Sequence, residues 1–303
     1  MQHITTQPTN RRHMQSSSHT KLNMNRVFVA MALLLVAVAP LGAQNKQPDY
    51  ANAMRHEHAK ETSAPSPAAL IAPRGAVVDE MVTYATIDGK AIKGFLAKPA
   101  KQGVGKPAIV MVHEWWGLND NIKAVAKRYA GEGYTVLAVD LFGSVATTPD
   151  AAMKLYQTAM ANVPVGEKNV YDAIDFLKKQ GATSIGSVGY CFGGHWSLRT
   201  GLVGGKDIKG VVIYYGAPIT DASQLARLSA PVLGLYGGKD TGIPVDSVRA
   251  MEAKIKSAGH AVAINVYPDA NHAFANPTGQ AYNKAAADDA WAKSLVFFKT
   301  NLK

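Results

Sequence analysis

The residues best suited to chemistry lie in the run Gly189-Tyr190-Cys191-Phe192-Gly193-Gly194, between a short apolar stretch and a segment that reads as helix. A nucleophile flanked by glycines at a strand-to-helix junction occupies a sharp, strained turn, where any Cβ at the glycines would collide with neighbouring chain. The turn pushes the side chain out past the carboxyl end of its strand, onto a helix N-terminus. There the dipole favours a thiolate and lowers the thiol pKa. Serine is the usual occupant of this frame; here it is the single cysteine of the chain, Cys191, which has no intramolecular disulfide partner. A thiol nucleophile needs a base, and the base needs an orienting acid. In an elbow of this kind the order is nucleophile, acid, histidine. Asp240 follows the apolar run Val232–Tyr236 and the turn Gly237-Gly238-Lys239, and His272 follows the next apolar run in Asn271-His272-Ala273-Phe274. Asp269 and Asp246 are competing acids, one in the histidine's own loop and the other inside a helix. His195, just after the nucleophile, and His260, at a helix end, are weaker bases.

Loops of this kind need a sheet edge at which several strands end together. From about Val77 the chain alternates short apolar runs with amphipathic helical patterns. Val82–Ile87 and Ala91–Ala97 flank Asp88-Gly89, a hairpin signal. Ala108–His113 carries a nearly unbroken apolar run, as expected of a strand buried on both faces. Further strands are expected over Tyr134–Val139, Ser187–Tyr190, Val211–Tyr215, Val232–Tyr236 and Val262–Tyr267. Helices are expected over Asn119–Gly131, Pro149–Met160, Glu167–Gln180, Pro244–Ser257 and Asn283–Thr300. This alternation predicts an α/β chain, three-layer αβα with a mostly parallel sheet.

Residues 24–44 read MNRVFVAMALLLVAVAPLGAQ. Arg26, the apolar run Val27 to Ala39 and the small-residue site Leu41-Gly42-Ala43 make the pattern of a secretory signal peptide. The run of about 13 residues falls short of the roughly 20 that a membrane span needs. The expectation is therefore a periplasmic or secreted protein, cleaved near Ala43 and without stable membrane insertion. Residues 1–23 extend the n-region, and either Met1 or Met24 is the start. Residues 44–76 contain Pro48, Pro65, Pro67 and Pro73 without sustained periodicity. They are read as a flexible linker with one short helical turn around Ala51–Glu61. His56, Glu57 and His58 within it are read as solvated tail, because an unstructured segment offers a metal no preformed geometry.

With 47% hydrophobic and 18% charged residues, the 303-residue chain has ample material for a core, which excludes a disordered or fibrous protein. The net charge is +10 overall and +6 once the four basic residues of 1–43 are set aside, and no Lys/Arg run exceeds two. Nucleic-acid binding needs a clustered basic face and is not expected. Gly204-Gly205-Lys206 lacks the spacing and the Ser/Thr of a phosphate-binding loop. No metal cluster stands out, and no cofactor is expected.

Four segments carry a resemblance: His113-Glu114-Trp115-Trp116-Gly117-Leu118-Asn119, the Gly189–Gly194 elbow, Gly237-Gly238-Lys239-Asp240 and Asn271-His272-Ala273-Phe274. In this order, over about Val78 to Lys303, the chain resembles the dienelactone hydrolase family of the α/β-hydrolase fold. The resemblance implies hydrolysis of carboxylic esters or lactones by Cys191, Asp240 and His272, with Glu114 as a fourth member. In the family that Glu holds the resting thiol protonated until substrate displaces it; beside a thiolate a carboxylate is otherwise unfavourable. An oxyanion hole would come from the backbone N–H groups of Trp115 and Phe192. Trp116, Tyr156, Phe274 and Asn276 would line the substrate pocket. One departure stands out. The dienelactone enzyme grips a substrate carboxylate with two arginines, one of them four residues after the catalytic histidine. Here that position is Asn276, and the stretch Asp150–Met160 has Lys154 but no Arg. Asn cannot replace a bidentate fork, so the reaction class is implied without dienelactone itself. The expected partner is a small ester or lactone, and the expected state is a monomer. The alternatives are a non-catalytic binding protein, or a peptidase or acyl-transferase, on the same fold.

Overall fold

The computed structural model describes residues 50–58, 71–101 and 106–303. The signal-peptide reading lies outside them. The chain divides between Asn45 and Lys46, and every described residue belongs to the second unit.

Strands β1 (Val77–Ile87) and β2 (Lys90–Pro99) pair antiparallel across Asp88 and Gly89. Both turn residues have positive φ, 48° and 74°, as a tight hairpin matched to the strand twist requires. Six more strands follow: β3 (Pro107–Val112), β4 (Thr135–Val139), β5 (Ser184–Tyr190), β6 (Ile208–Tyr214), β7 (Val232–Gly237) and β8 (Val262–Tyr267). The eight-stranded sheet runs β1-β2-β4-β3-β5-β6-β7-β8. β2 pairs antiparallel with β4, and β4-β3-β5-β6-β7-β8 are parallel throughout. This is the α/β-hydrolase fold, a mostly parallel sheet inside a three-layer αβα sandwich.

The helices are α1 (Tyr50–Glu57), α2 (Asp120–Gly131), α3 (Pro149–Ala161), α4 (Val163–Lys179), α5 (Phe192–Gly204), α6 (Ala222–Leu225), α7 (Val245–Ser257) and α8 (Lys284–Asn301). Polar caps fix several starts: the side chains of Asn119, Thr148 and Asn283 accept from the amides of Ile122, Ala151 and Ala286, satisfying donors that the first turn leaves without partners. Side chains alternate across the central strands. Ala108, Val110 and Val112 pack with Ile174, Leu177, Trp196 and Met251 on one face. Ile109 and Met111 pack with Ile122, Tyr129, Ala290 and Phe298 on the other. Burial of both faces explains why β3 reads as an apolar run. Among the described residues no helix is long and apolar enough to cross a membrane.

Register brings the functional loops together. Val112 pairs with Gly189, Tyr190 with Tyr214, and Gly237 with Tyr267. The chain therefore leaves β3, β5, β6, β7 and β8 at the same edge, the carboxyl edge where ligands of open parallel sheets bind.

Candidate active site

Cys191 forms the cap between β5 and α5, with φ 56° and ψ −117°. For a non-glycine residue this is strained backbone, and its surroundings hold it there. Its amide donates to the Tyr214 carbonyl (3.0 Å), and its carbonyl accepts from the amides of Gly194 (2.9 Å) and His195 (3.3 Å). A Cβ at Gly189 would lie 1.9 Å from the Gly193 oxygen, and one at Gly193 would lie 2.2 Å from the Val112 oxygen. Strand and helix can thus meet only at glycine.

The loop after β8 carries His272 to the sulfur. Its Nε2 stands 3.2 Å from Cys191 Sγ, and its Nδ1 stands 2.7 Å from Asp240 Oδ2. Asp240 is aimed by its own loop, because Oδ1 accepts from the amides of Gly242 (3.0 Å) and Ile243 (2.8 Å). The carboxylate binds Nδ1–H and leaves Nε2 to the sulfur. Cys191, His272 and Asp240 are 2%, 2% and 5% exposed, so these charges act in a medium of low dielectric. Burial alone pushes the Cys191 thiol up. The charge and hydrogen bond of His272, followed by those of His58, outweigh it and bring the thiol down to about 6. Burial pulls His272 down, whereas the charges of Asp240 and Cys191 and their hydrogen bonds hold it well above the ordinary imidazole value. Each partner favours the charged form of the other.

Glu114 is buried in the loop after β3. Asn276 Nδ2 donates to its Oε2 at 2.9 Å, and Tyr215 Oη lies 3.5 Å from its Oε1. Asn276 is itself fixed: Oδ1 accepts from Asn121 Nδ2, the Thr278 amide and Thr278 Oγ1. Asn276, at the position where the resemblance raised the expectation of an arginine, thus orients the buried carboxylate. His113 holds the same loop, since the Leu141 amide donates to its Nε2 (3.1 Å) while Nδ1 lies 2.6 Å from the Glu114 carbonyl. Burial pulls its pKa down, and it serves as a neutral brace. Tyr215, Asn121 and Thr278 escaped sequence reasoning. Tyr215 alone carried a usable signal, as the residue following a parallel strand at the functional edge.

Trp115 and Trp116 are fully buried, their rings 5.0 Å apart. Phe192 opens α5, a position whose amide has no partner within the helix. Tyr156, half-buried on α3, lies 5.8 Å from Phe192, and Phe274 packs 5.3 Å from Tyr215. The rival groups fall elsewhere. Asp269 is exposed and pairs with Lys239, and Asp246 lies in the first turn of α7. His195 is brought down to about 4 by burial and by Arg199, whose Nε donates to its Nε2.

One expectation is corrected. His58, read as solvated tail, is 2% exposed. Its ring lies 4.9 Å from Trp115 and 5.5 Å from His272. Residues 50–57 form a helix that packs against α3, and this tertiary contact supplies the geometry that local sequence lacks. The donor atoms of His58, Cys191 and His272 lie within 4.8 Å of one another, a set suited to a soft metal. The 3.2 Å between Cys191 and His272 is a hydrogen-bond length, whereas two such ligands of one tetrahedral zinc stand roughly 3.5 Å apart.

The sequence profile of the dienelactone hydrolase family matches residues 92–302. A protein of Saccharolobus solfataricus, provisionally named carboxymethylenebutenolidase, is 31% identical over 250 residues, covering 70% of this chain and 95% of its own. Among solved structures, a provisional dienelactone hydrolase of Klebsiella pneumoniae superposes with a TM-score of 0.66 at 24% identity, covering 74% of this chain and 99% of that one. A dienelactone hydrolase-like promiscuous phosphotriesterase from metagenomic libraries gives 0.68 at 22% identity, over 75% and 99%. The fold, the elbow and the profile match converge, and the chain belongs to the dienelactone hydrolase family.

Proposed function

We propose that this family member hydrolyses carboxylic esters or lactones through a thioester on Cys191. The Cys191 thiolate attacks the carbonyl carbon, and the carbonyl electron pair moves to oxygen. The amides of Trp115 and Phe192 receive that oxyanion. When the tetrahedral adduct collapses, the alkoxide or enolate departs and takes the proton from His272 Nε2. Now neutral, His272 removes a proton from water, the water oxygen attacks the thioester, and the C–S bond breaks with its electron pair returning to sulfur. Asp240 holds the ring in one tautomer throughout. Thiolates expel enolates well and simple alkoxides poorly, so enol-lactones and activated esters suit this nucleophile. The guard role that the resemblance implied for Glu114, holding a resting thiol neutral, is not carried over: His272 and His58 bring the thiol down to about 6, and the Glu114 carboxylate is turned to Asn276 and Tyr215.

The observation that carries this reading is the continuous relay from sulfur to carboxylate, 3.2 Å and then 2.7 Å, inside a buried site. Asn276 in place of a guanidinium supports neutral over anionic acyl groups. Export to the periplasm or beyond is part of the proposal and rests on residues 24–43 alone. A panel of neutral enol-lactones, p-nitrophenyl esters, anionic lactones and anilides tests the assignment in wild type and Cys191→Ala. The expected result is turnover of the neutral activated substrates by wild type only. Equal rates in both proteins, or a preference for anilides, would overturn it.

A further inference from the structure

His58 lies outside the region that the family profile matches, residues 92–302, yet it reaches the centre of the site. α1 carries it there. The helix packs on α3, where Arg55 Nη2 meets Asp150 Oδ1 at 2.6 Å. Ala53 also lies close over the Asp240 loop, since a Cβ at Gly242 would stand 3.0 Å from the Ala53 Cβ. The Arg55–Asp150 pair is exposed and contributes little. His58 is different. Burying an imidazole is costly unless its polar atoms are engaged, and this one is packed between Trp115 and His272, with its donor atom within 4.8 Å of those of Cys191 and His272.

We propose that His58 is a second imidazole of the active site, positioning and stabilising the Cys191 thiolate together with His272, so that the segment preceding the matched region supplies part of the catalytic machinery. The inference rests on Cys191 being the nucleophile. His58 takes no proton in the cycle. Its N–H donates toward the sulfur when the thiolate is free and again as the C–S bond breaks and the electron pair returns to sulfur. The same interaction appears in the balance at the thiol, where the hydrogen bond and charge of His58 act in the same direction as those of His272. The other ionisable groups around the sulfur are His272 backed by Asp240, Tyr215 after β6, and Glu114 after β3. Arg55, on α1 itself, is paired with Asp150. Of these, His272 and His58 lower the thiol.

The test is the pH dependence of Cys191 alkylation by iodoacetamide in the full-length wild type, His58→Ala and His58→Gln, with thermal melting alongside. Alkylation reads the sulfur directly and needs no ester substrate. In wild type the rate rises through a midpoint near pH 6. His58→Ala is expected to move that midpoint up by about one pH unit, which lowers the thiolate fraction at pH 6, and the rate with it, about fivefold. His58→Gln, which keeps an N–H donor, recovers part of the loss. Free imidazole added to His58→Ala does the same, which a merely structural role would not produce. A normal wild-type profile and an unmoved midpoint in His58→Ala, with imidazole inert, would overturn this inference alone. A wild-type thiol titrating at the ordinary cysteine value would instead strike the proposed nucleophile.

Discussion

Replacing Asp240 by Asn removes one charge and almost no volume. The loop should survive, because the retained Oδ1 still accepts from the Gly242 and Ile243 amides, now at 3.0 and 2.8 Å. What changes is the oxygen facing His272 Nδ1 at 2.7 Å. An amide N–H there can bond only the nitrogen without a proton, so the ring proton shifts to Nε2 and points at the sulfur. The imidazolium also loses its counter-charge. A charge pair about 4 Å apart at an effective dielectric of about 20 is worth about 4 kcal/mol, and each 1.36 kcal/mol is a factor of ten in rate. The ceiling is therefore roughly a thousandfold in kcat/KM, and a loss of about 10²–10³-fold is expected. The thiol must rise in parallel, because a less stable imidazolium stabilises the thiolate less. Hydrolysis of p-nitrophenyl acetate, iodoacetamide alkylation against pH and thermal melting measure the three quantities. A loss under about tenfold, with an unmoved alkylation midpoint and a native melt, would refute the relay as drawn.

Two further outcomes follow from the same geometry. Because the thiol is held down at about 6, kcat/KM should rise through that pH rather than near the ordinary cysteine value of about 8.5. Its fall at high pH should begin above the ordinary imidazole range, since His272 is held up by Asp240 and Cys191; a single rise near pH 8.5 would contradict the ion pair. Gly193→Ala would place a Cβ 2.2 Å from the Val112 oxygen and 2.5 Å from the His113 oxygen. Neither backbone atom can yield, so a loss of about 3 kcal/mol or more, roughly 6–12 °C in Tm, is expected; a native melt would show that the strand and helix can part.

Much of this was legible in the sequence because the signals were local. Asp88-Gly89 is a hairpin turn, β8 spans Val262–Tyr267 as its apolar run does, and the glycines around Cys191 announce the elbow before any neighbour is known. Boundaries slipped where glycine and proline imitate breaks. α4 starts at Val163 rather than Glu167, because proline is tolerated in a first turn and Gly166 is where Trp196 of α5 presses closest. β5 begins at Ser184 rather than Ser187, because Gly186 inside the strand makes room for Phe298. The site's second layer was not legible. Asn276 could be read as a missing arginine, but its hold on Glu114 depends on Asn121, 155 residues earlier in the chain. His58 sits in a stretch without periodicity, and only its packing against Trp115 and His272 distinguishes it from tail.

The central claim is that Cys191 becomes acylated, and mass analysis of the protein after rapid acid quenching from p-nitrophenyl acetate tests it most directly. The account predicts one acetyl group on the peptide bearing Cys191, formed within the first turnover, lost on further incubation and absent from Cys191→Ala. Turnover with the sulfur never modified, or an acetyl group on any other residue that decays at the rate of product formation, would contradict it.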